Sequence, residues 1–564
     1  MFKEVNWKAF VVMGAVVALV CTHWMRAADN AGSLQGVIKD SSGAPVSGAF
    51  VKAKNAERRL TFMVISQAQG RYTAANLPAG KYVVQAVGNG NQSVMSSPVD
   101  VASGKAATVD LSLTAPQAPT LAASWPGRPP GEGGGEAEAA RAPVNLPDGD
   151  GKQIVLTKCS VCHDAARIAN ARFSRARWEE SIADMRIYAQ GSTVATDLTD
   201  PEAKVLLDYV ATNFTGSRGR PAMPQPDPNS RLPRTLLQGE AAKYIAVEYE
   251  LPNAEVEPHE VTVDSEGNGW VSQRRGGHIG RFDPKTFLYT EIAPPPAQSK
   301  SLRLNGIVNG PDNKLWFMDG GPNRRWLQYD TKTKEFNVFN TPKLKNGTAG
   351  GNTMRVHPNG SVWLNNIGAN QVIRLEPATK QFTVWDVPAG VKAGRNATPY
   401  GMAIDGAGKV WFIENSMNLM GRVDPVTGKV EEFEIPVKNS VARKGGTDAN
   451  GNPWIALHGA GKLMKIDYKT TKMTVYSPPT ENSGVYSVSV DMKHNLVWFS
   501  QQHVDKIARF DPKTETFVEF PLPSAESDMR RIEVDQNNPN RIWWTGNLAN
   551  RMGYIELIDG SSKM

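Results

Sequence analysis

The sequence predicts a mainly β chain: an N-terminal β-sandwich, a small all-α unit and a C-terminal seven-bladed β-propeller. Three observations carry this. Tryptophan recurs at Trp270, Trp316, Trp363, Trp411, Trp454, Trp498 and Trp543, at intervals of 43 to 48 residues. Short period-2 runs between turn residues fill positions ~32–114. Between these regions lie two apolar-periodic stretches with helix-capping residues in front of them.

At 564 residues the chain is long enough for several domains. Apolar and charged contents of 40% and 21% are ordinary for folded protein. The formal charge of +7 is spread along the chain, without a long Lys/Arg block. That disfavours nucleic acid as a partner and favours a local basic patch for an anionic ligand or redox partner.

The N-terminus reads as an export signal, residues 1–28. Lys3 and Lys8 precede an apolar run from Ala9 to Cys21, and Ala27-Ala28 offers a cleavage site. The run is short against the ~20 residues of a spanning helix. The expectation is a bacterial periplasmic protein without a stable membrane span, an uncleaved N-terminal anchor being the alternative. Only Cys159 and Cys162 then remain, which leaves no disulfide framework.

Residues 32–114 alternate through Leu34 to Ile38, Phe50 to Ala53, Leu77 to Val84 and Thr108 to Leu113. The turns Gly43-Ala44-Pro45 and Leu77-Pro78-Ala79-Gly80-Lys81-Tyr82 resemble those of carboxypeptidase regulatory-like domains, which implies a non-catalytic sandwich. Residues 115–147, rich in Ala, Pro, Gly and Glu, read as linker. In 148–214, Ser174 can cap a helix through Trp178, Ile182 and Met185. Thr199 and Glu202 form a capping box for a helix carrying Leu206, Tyr209 and Val210. Residues 215–237 read as a second linker, and the Trp repeat occupies 238–558. Four short strands per ~45 residues is the signature of a propeller blade. Tyr244 to Leu251 resembles the fourth strand of a unit and is expected to pair with the last unit, closing the ring.

Cys159-Ser160-Val161-Cys162-His163 is a haem c attachment motif. Thiols three positions apart can each bond one vinyl group of a single porphyrin, and the adjacent His163 then lies beneath the iron. A thioredoxin-like pair would need a βαβ context. A zinc site would need more Cys or His nearby, and His163 is the only histidine between residues 24 and 258. The segment from Arg177 to Met185, with Gly191 and the following helix, resembles small class I cytochromes c. That resemblance implies Met185 as the distal iron ligand. Met223, in Pro221-Ala222-Met223-Pro224, is the alternative. One covalent haem c is the expected cofactor.

Within the repeat, residues about eleven before each tryptophan are expected at one mouth of the channel: His259, Asn305, Asn352, Tyr400, Arg443, Tyr486 and Arg530. Residues two to five after it, among them Arg274, Asp319, Asn365, Glu414, His458 and His503, are expected beside them. Such convergent polar groups suggest a binding site for a small anionic or carbonyl-rich ligand. The repeat, for example Trp411-Phe412-Ile413-Glu414 followed by Met420-Gly421-Arg422-Val423-Asp424, resembles the virginiamycin B lyase family. That family's site, as the resemblance implies, uses a histidine on one inner strand, Glu-Pro-His on the next, a later glutamate and magnesium. Glu257-Pro258-His259 matches one piece and makes Glu257 and His259 the catalytic candidates. Arg274 stands where the glutamate belongs, and Met529-Arg530-Arg531 where the other histidine belongs.

Three functions follow. The first is an exported electron-transfer protein or oxidoreductase component, its propeller holding a substrate or periplasmic redox partner. The second is a magnesium-assisted lyase with a tethered cytochrome. The third is a haem-containing binding scaffold.

Overall fold

The computed structural model describes residues 31–121, 146–160, 165–169, 171–193, 195–215, 226–253, 256–344, 351 and 353–558. The signal segment and the candidates Cys162, His163, Met223 and Asn352 lie outside the described residues. No helix among the described residues is long and apolar enough to cross a membrane.

The chain is mainly β. An N-terminal sandwich-like domain has Ala31–Asp40 pairing with Arg71–Pro78 in one layer, and Phe50–Asn55 between Leu60–Ile65 and Gly80–Gly88 in the other. Its core is Leu34, Ile38, Phe62, Tyr72, Leu77, Tyr82 and Val84, all nearly solvent-free. Leu34 and Ile38, and Tyr82 and Val84, share one face of their strands, as alternation in a sheet requires.

The C-terminal sheets are propeller-like. Six are separate four-stranded antiparallel sheets, and a seventh is built from Met529–Val534, Arg541–Gly546, Arg551–Leu557 and Tyr244–Glu250. The inner strands follow one another around the ring: Pro258–Val263, Leu304–Asn309, Met354–Val356, Pro399–Ile404, Ala442–Thr447, Val485–Asp491 and Met529–Val534. Each touches the next, and the last returns to the first. Tyr244–Glu250 pairs with Arg551–Leu557 from end to end, so the first strand of the repeat completes the last blade as expected.

Two recurrent bonds fold the turns within the blades. An aspartate six positions before the tryptophan accepts its indole N–H: Asp264 from Trp270 at 2.8 Å, Asp405 from Trp411 at 2.8 Å and Asp448 from Trp454 at 2.9 Å. The other oxygen of each aspartate takes up amides of the turn between the first and second strands. A second aspartate folds the turn between the third and fourth strands by accepting the amide two residues on, at Asp283, Asp330, Asp424, Asp467 and Asp511.

The outer edge of the seventh blade is covered by something the repeat pattern did not announce. Tyr244–Glu250 also pairs antiparallel with Leu60–Ile65 of the sandwich, from Ile245 opposite Val64 to Tyr249 opposite Leu60. One sheet therefore runs from the sandwich into the propeller. The apolar core is continuous there too, with Phe62 against Phe287 at 5.4 Å between ring centres.

Residues 226–237 do not behave as a free linker. Asn229, Ser230, Arg231 and Leu232 are buried, and the main-chain oxygens of Asn229 and Leu232 accept from the Gln117 amide. Arg231 reaches the buried Asp505 of the sixth blade at 3.3 Å.

Between sandwich and propeller lies a small helical segment. Ser174 caps the helix Arg175–Gln190, and Thr199 with Glu202 forms the capping box of Asp200–Asn213. Trp178, Ile182, Leu206, Tyr209, Val210 and Phe214 form its core. It is seated on the second blade. Ser299 donates to Asp184 at 2.6 Å, and the main chain of Gly191 and Thr193 bonds Leu344 at 3.0 Å. The Arg324 guanidinium lies against Gly191, in the space that a side chain there would take.

Candidate functional site

The cysteine motif begins at the end of a helical stretch. Asp150–Ile154 runs into a π-helical turn, Val155–Cys159. Cys159 packs half-buried against the helical core. Trp178, Ile182 and Met185 lie at i, i+4 and i+7, one stripe of the helix Arg175–Gln190. The first two are buried, whereas Met185 is 42% exposed. Leu156 and Val205 of the same unit are also exposed, at 47% and 37%. Of the residues that would hold a haem c, Cys159 and Met185 are described, and two thiols, an imidazole and a thioether are the residue types such a group takes.

The mouth of the propeller is built differently from a plain alternating surface. The inner strand carries a register shift in six blades, between Pro258 and Glu260, Asn305 and Val308, Pro399 and Met402, Ala442 and Gly445, Val485 and Val488, and Met529 and Arg531. A bulge re-aims side chains, so neighbouring residues both contribute to the channel.

At the upper level the expected groups gather. Tyr400 and Tyr486 share a hydroxyl–hydroxyl bond of 2.6 Å. The Arg443 guanidinium lies 5.1 and 5.7 Å from their ring centres. Arg530 stacks on Tyr486 at 5.5 Å and pairs with buried Asp528 at 2.7 Å. His458 bonds Gln502 at 2.8 Å and stands edge-on to Tyr486 at 5.4 Å. Burial, followed by the charges of Lys444, Arg274 and Arg530, holds the His259 imidazole well below its usual range. Burial and Arg443 do the same to His458. Both are neutral near pH 7. Burial pushes the Tyr486 phenol up to about 12.

Not every expected residue faces the mouth. Glu414 lies inside the fourth blade, against Glu432 of the outer strand, and burial with that neighbour pushes its carboxyl up to about 8. The same register holds Gln273 on Glu291 and Gln501 on Glu519, so this position points across the blade. Asp319 is likewise inward, paired with Arg325 at 3.2 Å. Asn365 clamps the main chain of Tyr400 at 2.6 Å, and Asn305 is buried beneath the mouth. His503 bonds the carbonyl of Asn482 at 2.9 Å.

Below the mouth lies an ion cluster that reading the sequence missed. Glu260 pairs with Lys444 from across the channel and with Arg531 at 3.3 Å, and Arg531 holds Glu533 at 2.5 Å. Arg355 bonds the carbonyl of Gly445 at 2.6 Å. Burial, then Arg531 and Arg530, holds the Lys444 amine well below its usual range. A signal existed. The residue after each mouth position is Gly306, Thr353, Gly401 or Ser487 in four blades and Glu260, Lys444 or Arg531 in the other three.

The lyase pieces can now be compared in place. Glu257, at φ +50°, accepts from Arg275 at 2.9 Å and stands 3.9 Å from Arg274. His259 lies 3.3 Å from Glu260. A hard dication needs several oxygen ligands. Here the lone carboxylate of the motif is taken by guanidiniums, and no group of three or more metal-ligating side chains occurs among the described residues. The residues present do not fit magnesium.

The architecture is thus a sandwich joined to a propeller-like ring with a polar mouth. A family model for the virginiamycin B lyase family matches residues 305–562, and one for the carboxypeptidase regulatory-like domain matches 33–114. The chain carries a carboxypeptidase regulatory-like domain and a virginiamycin B lyase-like propeller. Similar solved structures include virginiamycin B lyase from Staphylococcus aureus, at 19% identity over 55% of this chain and 98% of that one, with a TM-score of 0.48. A streptogramin B lyase matches at 20% identity over 57% and 100%, TM-score 0.49. Hydrazine synthase from Kuenenia stuttgartiensis matches at 11% over 55% and 98%, TM-score 0.43. No curated protein matches.

Proposed function

We propose that the chain is an exported, periplasmic monohaem c-type cytochrome of the small class I kind, an electron-transfer protein or oxidoreductase component whose propeller holds a small ligand or docks a redox partner. The observation that carries the reading is Cys159-Ser160-Val161-Cys162-His163, set in a small helical unit whose Trp178–Ile182–Met185 stripe ends on an exposed thioether. Bound haem supplies a one-electron iron couple. The two thiols fix its position covalently, His163 provides the proximal nitrogen and Met185 a soft distal ligand that raises the potential. Met223 is the competing distal ligand.

The test is covalent haem retention after export. Denatured wild-type protein is expected to stain for haem, Cys159→Ala and Cys162→Ala to lose most of the stain, and His163→Ala to lose its low-spin spectrum. Met185→His should abolish the sulfur-to-iron band and lower the potential by on the order of 100 mV, a fraction of the ~0.8 V that axial ligands span. Equal staining in all variants would sink the proposal, and an unchanged band in Met185→His would move the ligand to Met223.

The match over residues 305–562 favours a second reading, a lyase of that family's kind, although it begins after Glu257 and His259 and so does not include the catalytic candidates. Arg274 and Arg275 around Glu257 oppose it.

A further inference from the structure

We propose that the propeller mouth binds a small di- or tricarboxylate. This rests on the reading that the propeller holds a ligand, and it names that ligand's class. The charge at the mouth is unbalanced. Arg274, Arg275, Arg303 and Arg530 share two carboxylates among the described residues, Glu257 and Asp528. Glu257 is nearer to Arg275 than to Arg274. The foremost charged neighbour of Arg274 is another guanidinium, Arg303, and Arg530 is also close. The Nε atoms of Arg274 and Arg530 are buried and have no hydrogen-bond partner. Unpartnered guanidinium donors beside like charges are costly, and an anion supplied from outside relieves both terms.

Geometry selects among anions. Arg274 follows the second strand of the first blade, Arg303 precedes the inner strand of the second, and Arg530 stands on the inner strand of the seventh. Arg530 already gives one amino group to Asp528 and the other to Tyr486, so the guanidiniums of Arg274 and Arg303, on two further blades, are the ones left for two separate carboxylates, each able to take a bidentate pair. Beside these arginines the buried rings of Tyr400 and Tyr486, joined through their hydroxyls and flanked by Arg443, fix Arg530 in place. The same arginines that turn magnesium away make the site.

The experiment is calorimetric titration of the full haem-loaded chain with citrate, and separately with inorganic phosphate and magnesium chloride. Citrate is expected to bind, more weakly as ionic strength rises. Arg274→Gln should weaken it at least ~10-fold without lowering the melting temperature of the ligand-free protein, and Arg274→Lys should fall between. No citrate binding, parental affinity in Arg274→Gln, or phosphate or magnesium binding as tightly as citrate would each overturn the proposal. Haem absorbance of the same sample separates the two readings. Haem without citrate binding removes only the carboxylate site, and citrate binding without haem removes only electron transfer.

Discussion

At the residue scale the mouth was legible wherever a position recurs at ~45-residue spacing and faces the channel. Tyr400, Arg443, Tyr486 and Arg530 meet as their spacing suggests. Glu260 and Lys444 escaped because the bulges break strict alternation, so the neighbours of His259 and Arg443 also face inward. Their ion pair bears on the lyase reading. His259 has the neutral imidazole a general base needs, yet it sits in a field of Lys444, Arg274 and Arg530 rather than beside a bound cation. Cyclic streptogramin B offered to the haem-loaded protein is therefore expected to stay closed, with or without magnesium, by mass measurement. Ring opening that a chelator and His259→Ala both abolish would make the propeller a lyase.

At the element scale the blades were almost wholly readable, because a tryptophan repeats in every one of them at nearly constant spacing. Glu414 was not, since a polar residue just after the tryptophan turns either to the mouth or across its own blade, and only register decides. Its placement against Glu432 has a pH consequence. The folded chain holds the Glu414 proton up to about pH 8, whereas the unfolded chain loses it near the ordinary 4.5. Between those values the folded state binds more protons, so stability from this group is complete below pH 4.5 and declines as pH rises through 8. Glu414→Gln keeps a donor toward Glu432 and carries no charge. It should match the parent near pH 5 and exceed it at pH 9 by ~2–4 kcal/mol, read from denaturant unfolding at the two pH values. Equal stability at pH 9 would show that Glu414 is not buried beside Glu432.

At the scale of the whole molecule, each domain could be outlined from sequence, but not their junction. Strand pairing between Leu60–Ile65 and Tyr244–Glu250 joins residues nearly 200 positions apart, and both strands already had partners in their own domains. Nothing in either strand's alternation records a second edge contact. The consequence is mechanical. Leu60–Ile65 is an interior strand with Phe50–Asn55 on one side and the seventh blade on the other, and residues 226–237 are wedged alongside through Gln117 and Arg231. Sandwich and propeller should then unfold together. Val64 lies opposite Val51 on one side and Ile245 on the other. Val64→Pro removes an amide donor from this interior strand, a position that tolerates proline poorly, and should cost ~2–4 kcal/mol. Calorimetry is expected to show one cooperative transition for these two domains in the parent and an earlier, separate one for the sandwich in the variant. Two transitions in the parent, or an unchanged melting profile in Val64→Pro, would mean that the shared sheet does not couple the domains, and the sandwich would then be a passenger on the propeller rather than the lock on its last blade.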